Sequence, residues 1–167
     1  DKVIPVADVK ALDPEVVTVN DSLYFDSLEL SLKRIPNAQP MYTVAKKAIG
    51  KWAKLFIAVK IVESGNDGDN SIYARRDNNL TGMRQPRVRK TMSLGATKNK
   101  YARYASWYDC MLDFGMYLDG MERGFIKKNH RPVRNSQEMV KYLYGKYNTH
   151  PVWRKRTLYV LKNFKWK

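Results

Sequence analysis

Residues 41–64, MYTVAKKAIGKWAKLFIAVKIVES, constrain the fold more than any other segment of the chain. Ala, Lys, Leu and Ile dominate it and Gly50 is its only weak point, so the composition predicts one helix from Met41 to Ser64. Trp52, Phe56, Val59 and Glu63 recur at spacings of four, three and four, which share one helical face. Ala53, Ile57 and Ile61 form a second apolar row beside it, and lysines 46, 47, 51 and 54 mostly take the far side. Glu63 is the only carboxylate between residues 31 and 66. A carboxyl beside aromatic and aliphatic groups is desolvated, which raises its pKa. A carboxylic acid still protonated near neutral pH can serve as a general acid, for example to protonate the leaving oxygen of a glycoside. The competing reading is an exposed helix-end acid facing cationic neighbours.

The rest of the chain is organised around that helix. Residues 1–38 read as an acidic extension or arm, interrupted by Pro5 and Pro14, and residues 39–167 as the folded body. RIPNAQP (34–40) is loop punctuation. Residues 65–86 are rich in Gly, Asn and Asp and read as loop. RVRKTMSL (87–94) and YARYAS (101–106) flank the polar GATKNK and predict a β-hairpin. Residues 107–122 return to helical spacing, with Met111, Phe114 and Leu118 on one side. Asn135 or Ser136 can cap a further helix with Glu138 close behind. Pro151 stands near the start of a last helix with an apolar stripe through Val152, Leu158 and Leu161. The expected class is mainly α with one small hairpin lobe.

Charge narrows the partners. Residues 1–30 hold seven acids and two bases, whereas residues 31–167 hold 29 bases and nine acids. A body that cationic attracts anionic polymers, whether nucleic acid, acidic envelope polymer or membrane surface. The most apolar run, KLFIAVKIVE, is too short and too interrupted by lysine to span a bilayer. The single cysteine, Cys110, excludes an intrachain disulfide and, on an apolar helical stretch, reads as buried rather than nucleophilic. With only His130 and His150 beside it, ligands for a zinc site are scarce, so no metal and no cofactor is expected. NDGDN (66–70) has calcium-like acidity but lacks the EF-hand pattern and its closing Glu. A start at Asp1 is compatible with a removed export signal.

Four blocks occur in order: ESG at the end of the long helix, NNLTGMR (78–84), YARYAS after the hairpin, and YNTHPVW (147–153). Together they resemble the bacterial and phage N-acetylglucosaminidases of glycoside hydrolase family 73, the flagellar peptidoglycan hydrolase and autolysin group. That family reads roughly ESG, NNLFGxK, FRxYxSxxxS and YATDPxY. The resemblance covers about residues 41–163. It implies a lysozyme-like helical domain that cuts the β-1,4 bond between N-acetylglucosamine and N-acetylmuramic acid, in the cell envelope, the periplasm, a secretion or a phage virion. It implies that Glu63 is the general acid, with Tyr147 in the catalytic group, lining the cleft to contact the sugar or position the reacting group. Asn79 and Gly82 would shape the floor, and Tyr104, Ser106 and Thr149 would complete the substrate-binding set. The chain departs from the pattern at Asn66, Thr81, Tyr101 and His150, and residues 78–108 contain no Asp or Glu.

A pair of carboxylates holding water across the sugar is therefore unsupported. Either the substrate's own 2-acetamido group assists, or a loop aspartate such as Asp67, Asp69 or Asp77 supplies the base. Three other readings compete with hydrolysis: a lytic transglycosylase on the same fold, a weakly active virion or envelope structural protein, and a basic nucleic-acid-binding module. The arginines at 75, 76, 84, 87 and 89 and the interleaved aromatics favour the last. Glu63 on the apolar stripe favours the glycosidase. Trp107, Tyr108, Tyr147 and Trp153 either stack on sugar faces or fill the core.

Overall fold

The structure is a computed structural model and describes residues 35–65 and 71–167. The proposed arm falls almost wholly outside the described residues, as do Asp67 and Asp69. Within them, six α-helices run in chain order: α1 (Ala38–Ile49), α2 (Ala53–Ser64), α3 (Ile72–Asp77), α4 (Trp107–Asn129), α5 (Ser136–Leu143) and α6 (Pro151–Asn163). Strands β1 (Gly95–Ala96) and β2 (Ala102–Arg103) pair antiparallel between α3 and α4. The mainly helical class with a small hairpin lobe holds, and the details differ in instructive ways.

The long helix is two helices. Gly50 adopts φ 55°, ψ −120°, a conformation open to glycine, and a 3-10 turn from Gly50 to Trp52 redirects the chain into α2. The stripe expected of one amphipathic helix is therefore split. Instead, α2 is buried nearly all round: Ala53 and every residue from Leu55 to Lys60 are inaccessible or nearly so. A helix apolar on all sides belongs in the centre of a domain. Accordingly α2 packs against α1, α4, α5 and α6. Its Phe56 meets Phe114 of α4 at 5.7 Å between ring centroids, a contact that buries side chains contributing about 1.5–3 kcal/mol each.

The segment read as loop contains α3, and α4 runs seven residues beyond the expected end at 122, to Asn129. Ser106 caps α4, its hydroxyl accepting from the Asp109 N–H at 3.1 Å. Asn135, rather than Ser136, caps α5 and accepts from the Glu138 N–H at 2.9 Å. Pro151 opens α6 as expected. The stripe of α6 is misread in the sequence, because Val152 is exposed while Trp153, Thr157 and Leu161 are buried. Thr157 hides this pattern: its hydroxyl donates to the Trp153 carbonyl at 2.8 Å, so a polar residue occupies the buried face.

The hairpin also differs. Residues 87–94 form no strand. Residues 100–103 lie between two flanking runs instead. On one side Gln85 N–H donates to the Lys100 carbonyl and Ala102 N–H to the Met83 carbonyl, both at 2.9 Å. On the other, Leu94 N–H donates to the Arg103 carbonyl at 2.8 Å, continuing the β1–β2 register. Residues 87–94 are held by side chains, which the expected backbone ladder could not foretell. Arg89 donates to both oxygens of Asp113 on α4 at 2.9 and 3.0 Å, and Thr91 and the Met92 N–H donate to Oδ1 at 2.7 and 2.9 Å.

Candidate active site

The end of α2 opens into a cleft of about 450 Å³. Glu63 lines it, one residue before the helix ends at Ser64. The Ser64 hydroxyl lies 3.0 Å from the carbonyls of Lys60 and Leu80, which ties the helix end to residues 78–84. Lys60, fully buried, donates to the Gly65 carbonyl and closes the last turn.

Residues 79–82 line the cleft, and Gly82 approaches the carboxyl of Glu63. Asn79 is 1% exposed and works as a clamp. Its amide N–H groups donate to the Met83 and Ala102 carbonyls at 2.9 Å, and its oxygen accepts from the Met83 N–H at 3.0 Å. From beneath, the Cys110 sulfur accepts from the Leu80 N–H at 3.4 Å. Burial pushes the Cys110 thiol up to about 12, so it is a packing group and not a nucleophile. Gly82 sits at φ 67°, and a Cβ there would lie 3.5 Å from Glu63 Oε2. Glycine is needed for the backbone and brings that backbone close to the acid.

Tyr147 forms one wall. Its ring packs with Phe114, Tyr117 and Trp153 at centroid distances of 5.9, 5.6 and 5.3 Å, and its hydroxyl donates to the Thr81 carbonyl. Burial, and next the nearby charge of Glu63, hold the phenol well above its ordinary pKa. Tyr147 therefore stays neutral and fixes the floor loop against the aromatic cluster. Thr149 lines the same wall. Glu63 itself is exposed to the open cleft. The protein around it still excludes enough water to raise its pKa, and desolvation is the cause. Trp52, Phe56 and Val59, the neighbours expected on its face, are buried in the core and do not line the cleft.

The structure thus brings Glu63, Asn79, Gly82, Tyr147 and Thr149 together. It places Tyr104 and Ser106 elsewhere. Tyr104 is 3% exposed and donates to Asp113 Oδ2 at 2.6 Å, and Ser106 is the buried cap of α4. Trp107, Tyr108 and Trp153 are likewise core residues. Asp77, 6% exposed and paired with Arg76 at 2.9 Å, does not line the cleft. Among the described residues Glu63 is the only carboxylate that does. Sequence reasoning missed the opposite wall, where Tyr73, Arg84 and Tyr101 meet. Arg84 ends the NNLTGMR block and Tyr101 begins YARYAS, so the signal was present in the motifs, while Tyr73 lay in a stretch read as loop.

The sequence model of one family, described as mannosyl-glycoprotein endo-beta-N-acetylglucosaminidase, glucosaminidase for short, matches residues 39–165. Among solved structures, the catalytic domain of the autolysin Auto from Listeria monocytogenes aligns with a TM-score of 0.49 and 14% identity, over 96% of this chain and 92% of that one. No curated protein sequence matches. No helix of the described residues is long and apolar enough to cross a membrane.

Proposed function

From the premise that the chain belongs to the glucosaminidase family and is an endo-β-N-acetylglucosaminidase, we propose that it cuts peptidoglycan between N-acetylglucosamine and N-acetylmuramic acid with Glu63 as the general acid. One observation carries the assignment: the only carboxylate lining the cleft, among the described residues, is the one whose pKa desolvation raises. A protonated Glu63 donates its proton to the glycosidic oxygen as the bond to the anomeric carbon breaks. The 2-acetamido oxygen of the substrate attacks that carbon from the other face and holds it as an oxazoline-type intermediate. Glu63, now ionised, removes a proton from water as the water opens the intermediate, and is ready again. This route needs one protein carboxylate, in keeping with the one that lines the cleft among the described residues. Asn79 and Gly82 shape the floor, Tyr147 positions it, and Thr149 faces the sugar.

The cationic body, with 29 bases against nine acids over residues 31–167, fits attraction to an anionic envelope. We place the protein at the cell envelope or among secreted or virion-borne wall enzymes, with residues 1–38 as an arm and 39–167 as the catalytic domain. The test is a digest of purified peptidoglycan, reduced and read by mass spectrometry. Products ending in reducing N-acetylglucosamine, absent with Glu63→Gln, are expected. Anhydro-muramic ends would move the reaction to lytic cleavage, and no products from several wall types would overturn the substrate.

A further inference from the structure

Of the 31 lysines and arginines in the chain, only Arg84 lines the cleft among the described residues. The cationic surface is therefore general, but among the described residues the cleft holds a single placed cation. Arg84 is exposed and sits on ordered backbone, bridged antiparallel to Tyr101. Its guanidinium lies 4.3 Å from the centroid of the Tyr101 ring, and one nitrogen donates to the Asn99 carbonyl at 3.0 Å. Stacking fixes the plane and the hydrogen bond fixes the rotation, so little freedom is left to lose on binding. Arginine presents five N–H donors, and among the described residues one hydrogen bond from Arg84 goes to protein. Among the described residues no carboxylate pairs with it. Tyr101 in turn packs on Tyr73 with centroids 4.6 Å apart, which gives the wall an aromatic face beside the cation.

We propose that Arg84, held against Tyr101, is a subsite for a carboxylate carried by the acidic amino sugar of the glycan, and so sets preference for acidic over neutral amino-sugar strands. A guanidinium fork pairs with a carboxylate through two parallel hydrogen bonds. The Tyr73–Tyr101 face offers an apolar surface to the ring that bears it. The other ionisable group lining the cleft among the described residues is Glu63, whose pKa desolvation raises, a shift toward the neutral form that eases its opposition to an anion. The carboxylate has two sources: the lactyl ether on the sugar, or the peptide attached to it. The inference rests on the peptidoglycan reading for its natural ligand, while its test does not depend on turnover.

Three oligosaccharides of equal length separate the cases: a neutral N-acetylglucosamine oligomer, an alternating oligomer with free lactyl groups, and the alternating oligomer with its peptides. Binding is measured by calorimetry in the Glu63→Gln background, so that no bond is cut, with and without Arg84→Gln. The expected result is a preference for an acidic oligomer over the neutral one that Arg84→Gln lowers about tenfold, the scale of a charge-assisted hydrogen bond at a partly exposed site. High salt weakens the same preference, and Arg84→Lys retains part of it. Loss with the free lactyl oligomer assigns the lactyl group, and loss with the peptide-bearing oligomer alone assigns the peptide. Equal weakening of all three, or an unchanged ratio, would overturn the proposal and leave Arg84 as a wall residue. An Arg84-dependent preference without any peptidoglycan digestion would keep the subsite and reject the proposed reaction.

Discussion

Glu63 and Asp113 are both carboxylates on packed helices of one small domain, and their surroundings drive them in opposite directions. Asp113 is fully buried, and burial alone would raise its pKa. Hydrogen bonds from Arg89, Tyr104, the Met92 N–H and Thr91 more than offset this, and the carboxyl is held below the ordinary aspartate range. Glu63 faces the open cleft, yet no donor among the described residues bonds its carboxyl, and partial desolvation acts unopposed. Exposure therefore does not decide the proton. Donors weigh more: a carboxylate surrounded by them is held as an anion, and one without them, partly desolvated, is shifted toward its protonated form. The first anchors residues 89–92 and Tyr104 to α4, and the second is the group we propose for the chemistry.

Exchanging the two groups for neutral ones should separate these roles. Glu63→Gln should lower activity by about 10²–10⁴-fold, the scale of a general acid, with the melting temperature unchanged or slightly raised. Near-normal turnover would break the contrast. Asp113→Ala should instead lower stability by about 3–5 kcal/mol, because it leaves Arg89 and the buried donors unpaired. Denaturant unfolding would show it, and a fully stable variant would refute the anchor. Tyr104→Phe removes one donor to Asp113 and should cost about 1–2 kcal/mol. Its KM for peptidoglycan should stay near the parent's, since Tyr104 is closed off from the cleft; a selective KM effect would restore it to the binding set. Gly82→Ala should cost about 1 kcal/mol through its positive φ, while its Cβ would meet Glu63 only at ordinary contact distance. Deleting residues 1–36 should change least of all, leaving a folded, active body.

The same contrast gives pH dependences of opposite sign. The lowered pKa of Asp113 contributes stability that is present above the unfolded aspartate value and is lost as pH falls through its folded value. The acid limb of the stability curve should flatten in Asp113→Ala. The raised pKa of Glu63 works the other way: its contribution is present below the unfolded glutamate value and is lost as pH rises through the folded one. Activity should fall over that same rise, because the general acid has given up its proton.

Much of this was legible in the sequence, and the gaps have physical causes. Glu63 stood out because it was the lone carboxylate over a long apolar stretch. The burial of Cys110, the cap at Asn135, the helix start at Pro151 and the helical class followed from local rules. Asp113 was invisible because its partners, at 89, 91, 92 and 104, are gathered only when residues 83–103 fold back on α4. For the same reason residues 87–94 looked like a strand: their basic and apolar pattern reflects side-chain anchoring instead of a ladder. Gly50 was noted as a weakness, but sequence cannot say whether a mid-helix glycine is tolerated or turns the chain, since neighbouring helices decide. Tyr104 and Ser106 matched a family block and still proved to be scaffold, because a motif marks a place in the fold before it marks contact with a ligand.

The most direct test of this account is a pH titration of the carboxyl carbons by NMR on protein labelled at Asp and Glu, with Glu63→Gln and Asp113→Asn spectra to assign the two signals. Glu63 should titrate above the ordinary glutamate range and Asp113 below the ordinary aspartate range. Glu63 titrating at or below its ordinary value would contradict that expectation, and the general acid would have to be sought elsewhere.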